Sequence, residues 1–310
     1  WMAAWSETVA AMGQDWMELL PTPDRQTREN LSIEVAPTGV FQVDRLHGTR
    51  RLLQPPQIGG WEQLHHRYHD RPQHLASTPA EIDALVDLPG PFDAHAYREK
   101  GCADLAARQL SAYGAQLYPI GHVLSPLWCC YDLWGYEGLM TMVAEAPILV
   151  RYACQRFLSR SFYQLQQCQA LGARGIWLEE CLMDSISPAA YAALSLPFLQ
   201  PLIEEIRGRG LHSIHYFCGN PWRHLPLLLA AGADALAFEE SKKGFQIDVA
   251  ALAEIVAGKR VLLGNLDALE LLSHASAHDL RAEIARQVAA GRRNGSRFVL
   301  STGSPITPET

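Results

Sequence analysis

"SPAAYAALSLPFLQPLIEEIRGRGLHSIHYFCGN", residues 187–220, holds the two periods that decide the fold. Ser187 and Pro188 supply an N-cap and a first helical residue, apolar positions then recur at helical spacing, and Gly210 supplies the stop. From Leu211 the pattern changes to a short apolar and aromatic run ending at Cys218 and Gly219, the pattern of a buried strand. One helix followed by one strand is half of a repeating unit.

Working outward, the same kind of run appears at "QLYPIGHV", "GIWLEE", "ADALAFEE", "RVLLGNLD" and "RFVLSTG". The sequence therefore predicts parallel strands over 116–123, 175–180, 211–218, 233–239, 260–267 and 297–302, with helical crossovers between them. A doubly wound sheet and a closed barrel both fit this alternation. No G-x-G-x-x-G or Walker loop follows a strand, which weakens the nucleotide-binding sheet and leaves an α/β fold of (β/α)8 TIM-barrel type. The expectation is a single domain over 1–310, with a helical and hairpin part over 1–100 and the regular β/α part over 101–310. The chain opens without an initiator methionine and stops at "TPET", so it is expected to be clipped at one or both termini.

The first hundred residues are less regular. Trp1, Trp5, Val9, Met12, Trp16 and Leu19 recur at helical spacing and predict one amphipathic helix. "LSIEVA" and "VFQVDRL" around "PTG" predict a hairpin within 31–56, and "GTRRLLQPP" reads as a solvated loop. His65, His66, His69 and His74 cluster without an acidic or thiol partner, which favours a solvated face over a metal site. Thr78, Pro79 and Glu81 make a capping box at the start of a helix.

Composition excludes some classes. With 310 residues, 48% hydrophobic and 19% charged, the chain has material for a large core. A net charge of -7 argues against a nucleic-acid partner. No apolar run reaches the length of a membrane span, and the N-terminus is not a signal peptide, so no membrane association is expected. Seven cysteines without framework spacing point to reduced thiols and a cytoplasmic setting, with adjacent Cys129 and Cys130 in the packing.

In a barrel of this type the chemistry gathers at the C-terminal ends of the strands. Those ends carry Glu179, Glu180 and Cys181, then His215 and Cys218, then Glu239, Glu240 and Lys242, then Asn265 and Asp267, then Ser301 and Ser304. Carboxylates in a low-dielectric mouth suit acid, base or ligand roles, which selects Glu180, Glu239 and Asp267 as candidate catalytic groups. Asn220, Lys242, Asn265 and Ser304 are candidates for binding substrate. Glu180, His215 and Cys218 carry the O, N and S donors that zinc takes in catalytic sites. Residues three apart on a strand point to opposite faces, so His215 and Cys218 share a metal only if the chain bends between them.

"HYFCGN", "AAGADALAFEESKK", "VLLGNLDALELL" and "RFVLSTGSPITPET" follow one another in an order and spacing that resembles the uroporphyrinogen decarboxylase superfamily. The resemblance covers roughly residues 116–310 and implies a (β/α)8 barrel. One branch decarboxylates tetrapyrroles, gripping their carboxylates with an arginine-rich N-terminal stretch that this sequence does not show. The other comprises cobalamin-linked methyltransferases, such as those acting on coenzyme M, which bind zinc through His-x-Cys-Gly and a late cysteine. Cys218 and Gly219 fall on that motif, His215 stands one residue early, and Ser304 stands where the late cysteine would be. The resemblance implies methyl transfer between a corrinoid, possibly borne by a partner protein, and a small thiol acceptor, with zinc as an assisting metal. Tetrapyrrole decarboxylation is the second expectation, and a non-catalytic ligand-binding barrel the third.

Overall fold

The computed structural model describes residues 2–53, 75–241, 244–268 and 270–303. The histidine cluster over 65–74, Lys242 and Ser304 lie outside the described residues. In chain order the first elements are α1 (Met2–Met12), β1 (Trp16–Glu18), α2 (Arg25–Asn30), β2 (Leu31–Ala36), β3 (Gly39–Asp44) and β4 (Thr49–Leu53). There follow α3 (Pro79–Leu85), α4 (Ala94–Glu99), α5 (Asp104–Tyr113), β5 (Tyr118–Leu124), α6 (Pro126–Glu145), α7 (Pro147–Leu171) and β6 (Gly175–Glu180). A 3-10 turn (Met183–Ser185) leads to α8 (Pro188–Leu194), α9 (Leu196–Gly208), β7 (His212–Phe217), α10 (Leu225–Ala231) and β8 (Ala235–Phe238). The last elements are α11 (Val249–Val256), β9 (Val261–Leu263), α12 (Leu271–His274), α13 (Ala277–Arg293) and β10 (Phe298–Val299).

The described residues form two compact units, one within Trp1–Gln57, Pro91–Gly121 and Leu165–Gly175, the other within Ile58–Gly90, His122–Gln164 and Ile176–Thr310. The division does not run at residue 100, because the chain re-enters the first unit twice.

In the first unit β2, β3 and β4 make an antiparallel sheet, with Ala36 opposite Gly39 across the turn and Val43 opposite Arg50. The hairpin expectation stands, but "GTRRLLQPP" is not a solvated loop throughout. Its Thr49–Leu53 part is the third strand, and Arg50 bonds Glu34 at 2.9 Å and lies 3.3 Å from the Phe41 ring centroid. The single N-terminal helix is also corrected. The helix stops at Met12, Gly13 takes a φ of +59°, and Trp16–Glu18 becomes a strand parallel to β5, with Met17 and Leu19 buried. Both periods place apolar residues on one side, and sheet pairing decided between them.

Strands β6 to β10 follow one another in the sheet in the order of the sequence, and β5 precedes them with its Tyr118–Gly121 part inside the first unit. β7 and β8 pair in parallel with Phe217 opposite Phe238, and β8–β9 and β9–β10 are parallel too. All six predicted strands are present, β6 with its predicted bounds, β5 shifted to Tyr118–Leu124 and the other four trimmed, and the class is α/β of TIM-barrel-like type. The capping box at α3 forms: Thr78 accepts the Glu81 N–H at 3.3 Å while Glu81 accepts the Ser77 N–H at 2.9 Å. The helix predicted from Ser187 to Gly210 is two. Ser187 caps α8, and a break at Ser195 (φ -104°, ψ -55°) separates it from α9. That break frees the Ser195 hydroxyl for other work.

Strands β6 and β7 are covered on the helix side by Tyr191, Leu199 and Leu202, all fully buried with Ile176, Leu178 and Phe217. Each such side chain contributes about 1.5–3 kcal/mol by burial. This packing fixes which way each strand-end residue points. Among the described residues no helix is long and apolar enough to cross a membrane.

Candidate functional site

The site is built on the ends of β5 to β9. The Cys218 N–H donates to the Glu180 carbonyl at 3.0 Å, which in a parallel ladder sets residue 218 beside residue 181 and residue 216 beside 179. Extending the β7–β8 register sets Cys218 beside Glu239. Side chains alternate along each strand, so Trp177, Glu179, Cys181, Tyr216, Cys218 and Glu239 share one face. The Trp177 and Tyr216 rings lie 4.9 Å apart as the floor of that face.

Above that floor runs a chain of polar contacts. His122 Nε2 lies 2.7 Å from Glu179 Oε2, and the Cys181 thiol donates to Glu179 Oε1 at 3.2 Å. Cys181 and Cys218 stand side by side across the β6–β7 ladder. The Cys218 thiol donates to Glu239 Oε1 at 2.8 Å, and the Gly219 N–H donates to Glu239 Oε2 at 3.0 Å. Burial pushes the Glu179 carboxyl up, but the His122 bond and charge outweigh it and hold the group below its usual range. The Cys181 thiol is pushed well up by its contact with Cys218, by burial and by the Glu179 charge.

Gly219 is required here. Its φ is +108°, and a Cβ would lie 2.3 Å from the Asp184 carboxyl carbon. Asp184 accepts the Asn220 N–H at 3.0 Å, so two carboxylates grip the turn that carries Cys218.

The opposite face of the same strands holds a second cluster. Glu180 is fully buried and accepts from Tyr191 Oη at 2.5 Å, from Ser195 Oγ at 2.5 Å, and pairs with His215 Nε2 at 3.0 Å. Burial alone would raise the Glu180 carboxyl, but the His215 bond and charge, with the two hydroxyls, bring it below its ordinary range. Tyr191, Phe217 and His224 close the cluster with ring contacts of 5.3–6.0 Å.

Of the predicted residues, the structure brings Glu180 to His215 and Cys218 to Glu239, and separates the two pairs by the thickness of the sheet. The trio Glu180, His215 and Cys218 does not fit a single zinc. Glu180 and His215 are spent on each other between sheet and helices, the strand does not curl after Tyr216, and Cys218 faces the other way. Among the described residues no three His, Cys, Asp or Glu side chains are grouped to hold a metal ion. Asn265 sits by Glu239, but its amide is spent on the Glu239 and Ile247 carbonyls at 3.0 and 3.1 Å. Asn220 turns its side chain back to the Trp222 N–H. Asp267 accepts the Glu270 N–H at 2.8 Å and lines a cavity of about 560 Å³ with Ser241, Asn265, Asp279 and Arg286. Sequence reasoning missed His122 and Asp184. Glycine before His122 in "IGHV" and the Gly219 turn were the available signals, and neither names its partner.

A parallel α/β fold with thiols, carboxylates and an imidazole at its strand ends has the layout of the TIM-barrel class. A model of the uroporphyrinogen decarboxylase (URO-D) family matches residues 14–310, and the chain belongs to that family. It is similar to uroporphyrinogen decarboxylase of Xanthomonas campestris pv. campestris, 27% identical over 188 residues, covering 56% of this chain and 51% of the relative. The Xanthomonas axonopodis pv. citri decarboxylase is 28% identical over 196 residues, covering 58% and 53%. The chain thus spans about half the length of the curated relatives it matches. Among solved structures, a methyltransferase from Methanosarcina mazei has a similar fold, with a TM-score of 0.58 at 20% identity over 67% of this chain and 59% of that one.

Proposed function

We propose that this chain is a methyltransferase of the uroporphyrinogen decarboxylase superfamily, moving a methyl group between a corrinoid-linked donor and a small thiol acceptor at the Cys218 face. One observation carries the reading: each thiol on that face is matched to a carboxylate, Cys181 to Glu179 and Cys218 to Glu239. Carboxylates there receive the proton that an acceptor thiol gives up, and their charge favours the partly cationic methyl carbon of the transfer step. When bound, the corrinoid supplies the methyl group. The chain's own residues hold the acceptor over Trp177 and Tyr216 and take its proton at Glu239. His122 keeps Glu179 ionised beside them. A fully buried Glu180–His215 pair takes no part in these steps; it holds β6 and β7 in register.

Tetrapyrrole decarboxylation is the second reading, favoured by the names of the curated relatives. It is disfavoured by the same face, where several substrate carboxylates would meet the like charges of Glu179 and Glu239. The test is a side-by-side assay. Thiol-dependent loss of methylcobalamin, with coenzyme M in the thiol panel, is expected, and uroporphyrinogen turnover is expected to be negligible. Robust coproporphyrinogen formation overturns the proposal. Tight thiol or corrinoid binding without any turnover would make the chain a binding barrel instead.

A further inference from the structure

Two cysteine pairs lie close together in this chain, and they differ in one respect. Cys130 and Cys154 have sulfurs 3.7 Å apart on α6 and α7, and both are fully buried. Cys181 and Cys218 are half-buried at the ends of adjacent strands and reach solvent. The Cys218 N–H bond to the Glu180 carbonyl makes 181 and 218 direct neighbours across a parallel ladder. Such neighbours sit about 4.8 Å apart, inside the Cα separation of about 4.4–6.8 Å that a disulfide spans.

We propose that Cys181 and Cys218 are a reversible oxidative modification site, closing to a disulfide across the mouth of the site, with Cys218 attacking and Cys181 resolving. The oxidant class is a hydroperoxide. The Cys218 sulfur, as thiolate, attacks one peroxide oxygen; the O–O bond breaks, the other oxygen leaves with a proton as alcohol or water, and Cys218 becomes a sulfenic acid. The Cys181 sulfur then displaces the hydroxyl, which leaves with the Cys181 proton as water, and the S–S bond forms. Two thiols and one hydroperoxide become a disulfide, an alcohol and water. Cys181 suits the resolving role because Cys218, burial and Glu179 hold its thiol protonated until an electrophilic sulfur is beside it. The closed bridge has no proton to give Glu239, so the Cys218–Glu239 hydrogen bond is lost. A small dithiol restores both by exchange.

The experiment treats the full chain with hydrogen peroxide, blocks free thiols, and maps linked peptides by mass. The expected product joins 181 to 218, disappears on dithiothreitol treatment, and exceeds any 130–154 link while the protein stays folded. In Cys181→Ser, and in Cys181→Ala as a second variant, Cys218 is expected to run on to sulfinic acid faster than in the parent. The proposal is overturned if Cys218 overoxidises equally fast in the parent, or if the dominant link joins other cysteines. Neither readout depends on methyl transfer, so failure here is separable from failure of the proposed activity.

Discussion

Glu179 and Glu180 are adjacent in the chain and have opposite fates. Glu179 meets His122 and a thiol on a face that reaches solvent, while Glu180 is sealed between sheet and helices by two hydroxyls and an imidazole. The same holds one strand over, where His215 faces Glu180 and Cys218 faces Glu239. The difference teaches that parity along one strand sends one carboxylate to a sealed structural cluster and its neighbour to the face where the proposed chemistry would take place.

The comparison breaks most readily at Glu180. Glu180→Ala leaves three buried polar partners without an acceptor and should cost about 3–5 kcal/mol in urea unfolding, and Cys218→Ala should cost far less. Equal losses would mean that the two faces do not divide the work. The pH dependence has a definite sign. The Glu180 carboxyl is held below the ordinary glutamate range in the folded state, chiefly by the His215 bond and charge, so its stabilisation is present above that range. It is lost as pH falls through the folded value. Glu180→Gln should flatten this acid limb, which denaturation at a series of pH values would reveal.

Next in size is Glu239→Gln, which should slow thiol methylation about 100-fold and change stability by about 1 kcal/mol or less. Unchanged binding and turnover would remove Glu239 from the site. Gly219→Ala forces a side chain into a positive φ against Asp184 and should cost about 1–3 kcal/mol. Adding Asp184→Ala should recover part of that loss, because the residues touch and their effects are not additive. Strictly additive losses would show that Asp184 does not fill the space. Smallest is Arg50→Ala on the outer sheet, where breaking the exposed pair with Glu34 should shift stability by about 0–1 kcal/mol. A larger loss would show that contact with the Phe41 ring matters more than the ion pair.

Much of this was legible in advance. The six parallel strands, the Gly219 turn and the places of Cys218 and Glu239 at strand ends all follow from periodicity and from where the apolar runs stop. The site composition was less legible. Glu180 and His215 have the residue types of ligands, and nothing local distinguishes a buried structural pair from a catalytic one. His122 looked like an ordinary polar strand residue, since its partner Glu179 lies 57 positions away. The Trp16–Glu18 strand was hidden because its apolar spacing also fits a helix, and its neighbour β5 comes about a hundred residues later.

By itself the sequence determined the alternation of strand and helix, hence the α/β class, and which positions end the strands. Apolar period, caps and glycines are local properties, and local properties are written in consecutive residues. Only the tertiary structure decided which face of each strand is covered by helices. A one-residue change of parity turns a side chain to the other side of the sheet. The register between β6, β7 and β8, together with the break at Ser195 that brings a hydroxyl to Glu180, sends Glu180 and His215 inward. The same register leaves Glu179, Cys181, Cys218 and Glu239 together on the opposite face of the strands.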